Sequence, residues 1–78
     1  MKELIEFLAR SIVDDPDAVE VELEENEDDG RTIVHLYVAD DDMGKVIGKQ
    51  GRIANAMRDL LKVAAVQRGV RASLDIGD

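Results

Sequence analysis

Residues Val46-Ile47-Gly48-Lys49-Gln50-Gly51-Arg52-Ile53 interrupt what would otherwise be one long helix. Two glycines bracket Lys49 and Gln50, with apolar, helix-compatible sequence on either side. Glycine costs about 1 kcal/mol relative to alanine inside a helix, so a pair of them predicts a break. A turn with so little side-chain bulk lets another molecule approach the backbone closely. Lys49 and Arg52 put positive charge there. The first amides of the following helix are unpaired donors at the positive end of its dipole. Together these features attract phosphate.

The elements on both sides follow from periodicity. Upstream, Asp40-Asp41-Asp42 supplies N-cap candidates and negative charge for a short helix over 43–47. Capping accounts for these carboxylates more economically than a magnesium site, because Lys45 follows them. Downstream, Arg52 to Gln67 is predicted as a longer helix, with Ile53, Met57, Leu60, Leu61 and Ala64 as its apolar stripe. Gly69 is placed to end it. Val70 to Ile76 then alternates as a strand.

Nearer the start, residues 2–13 form an amphipathic helix carrying Leu4, Ile5, Leu8 and Ile12, closed by Asp15-Pro16. Residues 18–25 alternate Val19, Val21 and Leu23 with Glu20, Glu22 and Glu24. That is a strand with one buried and one solvated face rather than a cation site. Asn26 to Gly30 is a hairpin connection to a second strand, Thr32 to Ala39. There Val34, Leu36 and Val38 face the core, while Ile33, His35 and Tyr37 are left on the open face. The order helix, strand, strand, short helix, turn, helix, strand predicts an α+β fold of two layers: a three-stranded sheet with helices on one face.

Composition narrows the function. The chain has 78 residues, one small domain over 1–78. It has one Phe, one Tyr and no Trp, which disfavours folds that stack bases on exposed rings. Without cysteine there is no disulfide and no thiolate metal site, and one histidine builds no metal cluster. His35 is therefore assigned a structural or exposed role. Only two serines are present, Ser11 and Ser73, in different predicted elements, so an enzyme is not expected, nor a cofactor or metal. A phosphate-binding loop of the nucleotide type fails on spacing: three residues separate Gly44 from Gly48, and Gln50 follows Lys49. A dinucleotide fingerprint fails as well, because no Gly-x-Gly precedes Gly51. No basic n-region with an apolar h-region and no apolar run near 20 residues is seen, and a soluble cytoplasmic protein with no membrane partner is expected.

The net charge is −8, unevenly spread. Residues 1–42 hold three basic side chains against fifteen carboxylates, a net −12; residues 43–78 hold seven against three, a net +4. Such asymmetry points to one polyanion-facing side.

The stretch Asp41-Asp42-Met43-Gly44-Lys45-Val46-Ile47-Gly48-Lys49-Gln50-Gly51-Arg52-Ile53-Ala54 resembles a KH domain. The element order α-β-β-α-α-β is that of the type II KH fold. From Met1 to Asp78 the chain is similar to the small bacterial proteins made of a single KH domain, KH domain-containing protein A. The resemblance implies binding of single-stranded RNA, with the Gly-x-x-Gly turn clamping a backbone of about four nucleotides. It places Gly48, Lys49, Gln50 and Gly51 in the clamp and Lys45 and Arg52 at its rim. Val46, Ile47, Ile53 and Met57 become candidates for the apolar groove floor. It also implies a chaperone-like RNA binder, a homodimer, and pairing with a larger KH-containing protein. The rival expectation is a KH-fold interaction module to which RNA contributes little, favoured by the negative charge and the open strand face.

Overall fold

The computed structural model describes residues 1–77. Helix α1 spans Lys2–Ile12, β1 Glu20–Asn26, β2 Arg31–Tyr37, α2 Met43–Ile47, α3 Arg52–Gln67 and β3 Arg71–Gly77. Short 3-10 turns lead from α1 to β1 (Pro16–Ala18) and from β2 to α2 (Asp40–Asp42). The α+β class and the order α-β-β-α-α-β are as the sequence predicts. Boundaries differ by one or two residues, within the ordinary uncertainty of helix and strand ends.

The sheet is mixed, in the order β1-β2-β3. The hairpin pairs β1 and β2 antiparallel, Glu20 opposite Tyr37 and Asn26 opposite Arg31. After the helical crossover β3 lies parallel to β2, from Arg31 beside Arg71 to Tyr37 beside Gly77. Alternation along β2 decides which face is covered. Thr32, Val34, Leu36 and Val38 are buried, and Ile33, His35 and Tyr37 are half-buried on the open face. The helices close the covered face through Ile5 and Ala9 of α1, Val46 of α2, and Met57 and Leu61 of α3.

Three expectations about burial are corrected. Leu23 is 46% exposed rather than buried, because α1 covers only the start of edge strand β1, at Val21 and at Val19 just before it. On α1 the buried positions are Ile5 and Ala9, and Ile12 is exposed. On α3 the buried stripe is Ala54, Met57, Leu61 and Ala65, so Ile53 and Leu60 face outward and Ala64 is half-buried. Alanines at the contact let the helix axis approach the sheet, and the larger Leu60 is left to solvent.

Asp42 is corrected most. No side chain caps α2. Asp42 is 2% exposed, and its two carboxylate oxygens accept the backbone N–H groups of Asp14 and Asp15, each at 3.1 Å. The residue expected to start α2 instead ties α2 to the end of α1. The Asp14 amide, and less so Asp15 and Lys45, hold its pKa below the ordinary carboxylate range against the opposing effect of burial.

On the open face His35 bridges all three strands. Its Nε2 lies 3.1 Å from Glu24 Oε1 and its Nδ1 3.2 Å from Asp75 Oδ2. The Glu24 hydrogen bond chiefly, with Asp75 adding to it, raises its pKa above the ordinary imidazole value. Its role is structural, tying both edge strands to the middle one.

Candidate nucleic-acid interface

The turn between α2 and α3 is built on three positive-φ residues within four positions, Gly48, Gln50 and Gly51. Gly48 ends α2 at φ 76°, ψ 174°, a region open essentially to glycine alone. Gln50 sits at φ 58°, ψ 25°, the one positive φ outside glycine among the described residues. Gly51 follows at φ 76°, ψ 14°, left-handed, and α3 begins at Arg52. The Gly48 amide donates to the Gly44 carbonyl at 2.9 Å and closes α2. The Gly51 amide donates back to the Gly48 carbonyl at 3.2 Å and closes the turn. Strained backbone held this firmly concentrates at binding sites.

The two glycines have different reasons to be there. A Cβ on Gly48 would lie 2.4 Å from Ile53 Cγ1 and 2.9 Å from both the Ile53 Cβ and its backbone nitrogen. Position 48 therefore excludes any side chain on steric grounds as well as by dihedral angle. At Gly51 the nearest atom to such a Cβ is Asn55 Nδ2 at 3.8 Å, so only the dihedral angle argues for glycine.

The electrostatics match the sequence expectation at the turn and depart from it at the rim. Helix α3 starts with no side-chain cap and no acidic residue in its first turn, so its opening amides and positive dipole end are uncompensated. Lys49, Gln50 and Arg52 are exposed beside them. Neither Lys49 nor Arg52 forms an ion pair with a described residue. Lys45 is different. Its Nζ donates to the Asp14 carboxylate and lies 3.5 Å from Asp42 Oδ1, and these partners, Asp14 first, raise its pKa. The charge expected at the rim is already engaged within the protein.

Of the apolar candidates, Val46 is fully buried and Met57 nearly so, both in the core. Val46 is thus corrected from a contact residue to a support beneath the turn. Ile47 and Ile53 are exposed by about two-fifths, at 40% and 38%, and flank the glycines on the surface. The structure therefore brings Ile47, Gly48, Lys49, Gln50, Gly51, Arg52 and Ile53 to one surface. It withdraws Lys45 into an ion pair and Val46 into the core. Sequence reasoning missed the Asp14–Asp42–Lys45 cluster, because Asp42 and the amides it holds are 27 and 28 residues apart. The only local signal was the triple aspartate.

Known proteins share both the fold and the sequence. A crystal structure of Aquifex aeolicus Era is similar with a TM-score of 0.62 at 15% identity; it covers 96% of this chain, which spans 28% of that one. At that identity the likeness concerns the fold. RNA-binding protein KhpA of Caldanaerobacter subterraneus subsp. tengcongensis is 51% identical over 78 residues, covering 97% of this chain and 99% of that protein. KhpA of Clostridium acetobutylicum is 50% identical over 76 residues, with the same coverage. KhpA of Halalkalibacterium halodurans is 48% identical over the whole of both chains. Residues 2–76 match the KhpA/KhpB KH domain, and the chain belongs to that family.

Proposed function

We propose that this chain binds single-stranded RNA, holding the sugar-phosphate backbone at Gly48–Gly51. The observation that carries the reading is the uncapped start of α3 beside a turn opened by two glycines, with Lys49 and Arg52 forming no ion pair among the described residues. Backbone amides and two cations facing one surface suit phosphate oxygens. The relatives named RNA-binding protein KhpA support it. The task is binding, not catalysis. With one Phe and one Tyr in the chain, stacking contributes little and sequence discrimination is low. This combination suits a chaperone-like RNA binder.

The test is Lys49→Asp with Gln50→Asp, measured by fluorescence anisotropy on single-stranded RNA at two salt concentrations. Aspartate tolerates the left-handed angle at position 50, so the fold survives. Binding is expected to be lost. An unchanged affinity would remove the clamp.

A second reading rests on α3. Leu60, Val63 and Val66 are 47%, 58% and 77% exposed, and Phe7 of α1 is 69% exposed. So much apolar surface on a small domain favours self-association or pairing with a larger KH-containing protein, and two joined clamps would raise avidity. A monomer by light scattering at tens of micromolar, about the range where weak association shows, would count against the homodimer.

A further inference from the structure

The open face of the sheet sets one imidazole among carboxylates. Glu22 and Asp75 are the direct register partners of His35 on either side, and Glu24 is diagonal to it. The ring has carboxylate oxygens at both nitrogens, Glu24 at Nε2 and Asp75 at Nδ1. The other titratable groups on this face are Glu20, Tyr37, Arg31 and Arg71. The Tyr37 ring stacks on that of His35, centroids 6.4 Å apart and planes 15° from parallel. Arg31 stands four residues from His35 along β2, about 13 Å at the usual strand rise. That exceeds the screening length of about 10 Å at 0.1 M salt. The helices pack against the opposite face.

Two carboxylates on one ring fix its proton count. An ionised carboxylate only accepts, and a neutral imidazole carries a single N–H. Both contacts are hydrogen bonds only when both nitrogens are protonated. With one proton gone, a bare nitrogen lone pair faces a carboxylate, and that contact becomes repulsive.

The two contacts are not equally held. Asp75 lies directly beside His35, on a short side chain, in a strand whose Leu74 is buried in the core. Glu24 reaches back from two residues along β1 on a longer, more mobile chain. In β1 only Val21 is buried, and residues 22–26 are all exposed. Among the described residues the Glu24–His35 pair is the one ion pair that β1 makes. Apart from the backbone ladder, it is what fastens the distal half of β1 to the middle strand.

We infer that His35 is a proton-operated latch on β1. Charged, it holds Glu24 and Asp75 together and fastens both edge strands. Neutral, it keeps its remaining proton on Nδ1 for Asp75, drops Glu24, and lets Leu23 to Asn26 open from the sheet. The carboxylates, Glu24 first, raise the folded-state pKa of His35. The latch is therefore complete below the ordinary imidazole value of about 6.5 and is lost as pH rises through the folded value.

His35 is the only histidine in the chain, so ring ¹⁵N NMR from about pH 5 to 9 reads its titration alone. In the parent the midpoint lies above about 6.5, and beyond it the proton stays on Nδ1. Glu24→Gln lowers the midpoint most and Asp75→Asn less. A midpoint at or below the ordinary value, variants that leave it unmoved, or a proton left on Nε2 would overturn the latch. Hydrogen exchange locates the motion. Between about pH 6 and 8.5, the β2-facing amides among Leu23–Asn26 lose protection, after correction for intrinsic rate, while those of β3 keep theirs. In Glu24→Gln, an exposed and fold-neutral change, protection of the same β1 amides is low at both pH values. Protection that is independent of pH, or lost equally from β1 and β3, refutes the assignment to β1. The urea midpoint of the parent exceeds that of His35→Gln at the lower pH, and the gap narrows at the higher one. A constant gap makes His35 a packing residue only.

Discussion

The two glycines of the turn should respond differently to the same substitution, and the structure sets the size of the difference. At Gly48, alanine would adopt φ 76°, ψ 174°, a region that costs about 1–3 kcal/mol for a residue with a Cβ. The Cβ would also lie 2.4 Å from Ile53 Cγ1 and 2.9 Å from the Ile53 nitrogen. The Cγ1 can rotate away. The nitrogen belongs to the first turn of α3 and cannot move without the helix, so overpacking adds about 1–3 kcal/mol. The turn is at the surface and relaxes in part, which leaves about 2–4 kcal/mol. For a domain of this size, total stability is about 4–12 kcal/mol. Each kcal/mol moves the midpoint by about 4–8 °C, so Gly48→Ala should melt at least about 8 °C lower. At Gly51 the nearest atom is 3.8 Å away, and alanine pays only the left-handed angle, about 1–2 kcal/mol. Asparagine, which tolerates that angle, costs less. Urea and thermal unfolding followed by circular dichroism should rank the parent first, then Gly51→Asn, Gly51→Ala and Gly48→Ala. Adding Ile53→Ala to Gly48→Ala should recover the part due to Cγ1 and no more, a coupling readable from a double-mutant cycle. If Gly48→Ala is as stable as Gly51→Ala, the steric argument at Ile53 is wrong.

Two further outcomes test the packing. Leu61→Ala should cost about 2–5 kcal/mol in urea unfolding, because Leu61 is 1% exposed. Its neighbour Leu60→Ala should cost well under that and lower the apparent mass in light scattering if α3 carries the self-association. Asp42→Asn tests the tie between α1 and α2. The Asp42 pKa is depressed in the folded protein, so its contribution is complete above the ordinary carboxylate value of about 4 and is lost as pH falls through the folded value. The urea midpoint of Asp42→Asn should therefore lie below the parent's at pH 7, with the gap closing as pH falls below about 4. A gap independent of pH would show that the charge on Asp42 is immaterial.

The order of elements was legible because its signals are local. Period-two alternation with glutamates marks β1, and Asp15-Pro16 and Gly69 punctuate the helices. The Gly48–Gly51 break needs no distant partner to recognise. What was not legible depends on which surface each element meets. Helix α3 is apolar on two flanks, so Ile53 and Leu60 looked as buried as Met57 and Leu61 until the sheet chose the flank carrying Ala54 and Ala65. Leu23 alternates correctly but runs past the cover of α1. Val46 and Ile47 are adjacent and equally apolar, and only the docking of α2 sends one to the core and the other to the surface. Asp42 and Lys45 looked like a cap and a rim cation. Their true partners, the Asp14 and Asp15 amides and the Asp14 carboxylate, come from a segment that the hairpin separates from them in sequence.

Strand order turns the division of charge along the chain into a division in space. Acidic β1 and the basic α3–β3 side lie on opposite edges of the sheet with β2 between them. Had β3 paired with β1, Glu20, Glu22 and Glu24 would lie on the strand next to Arg71. Instead the glutamates stand two strands from β3, about 10 Å at the usual strand spacing. That is about one Debye length at 0.1 M salt. At such ionic strength the acidic edge is partly screened from the basic side, and the net charge of −8 opposes an anionic strand there less than its size suggests. At lower salt the screening length grows, and the same carboxylates repel any strand that leaves the basic face. On the proposed RNA reading, the acidic half therefore restricts where a strand sits more than whether it binds.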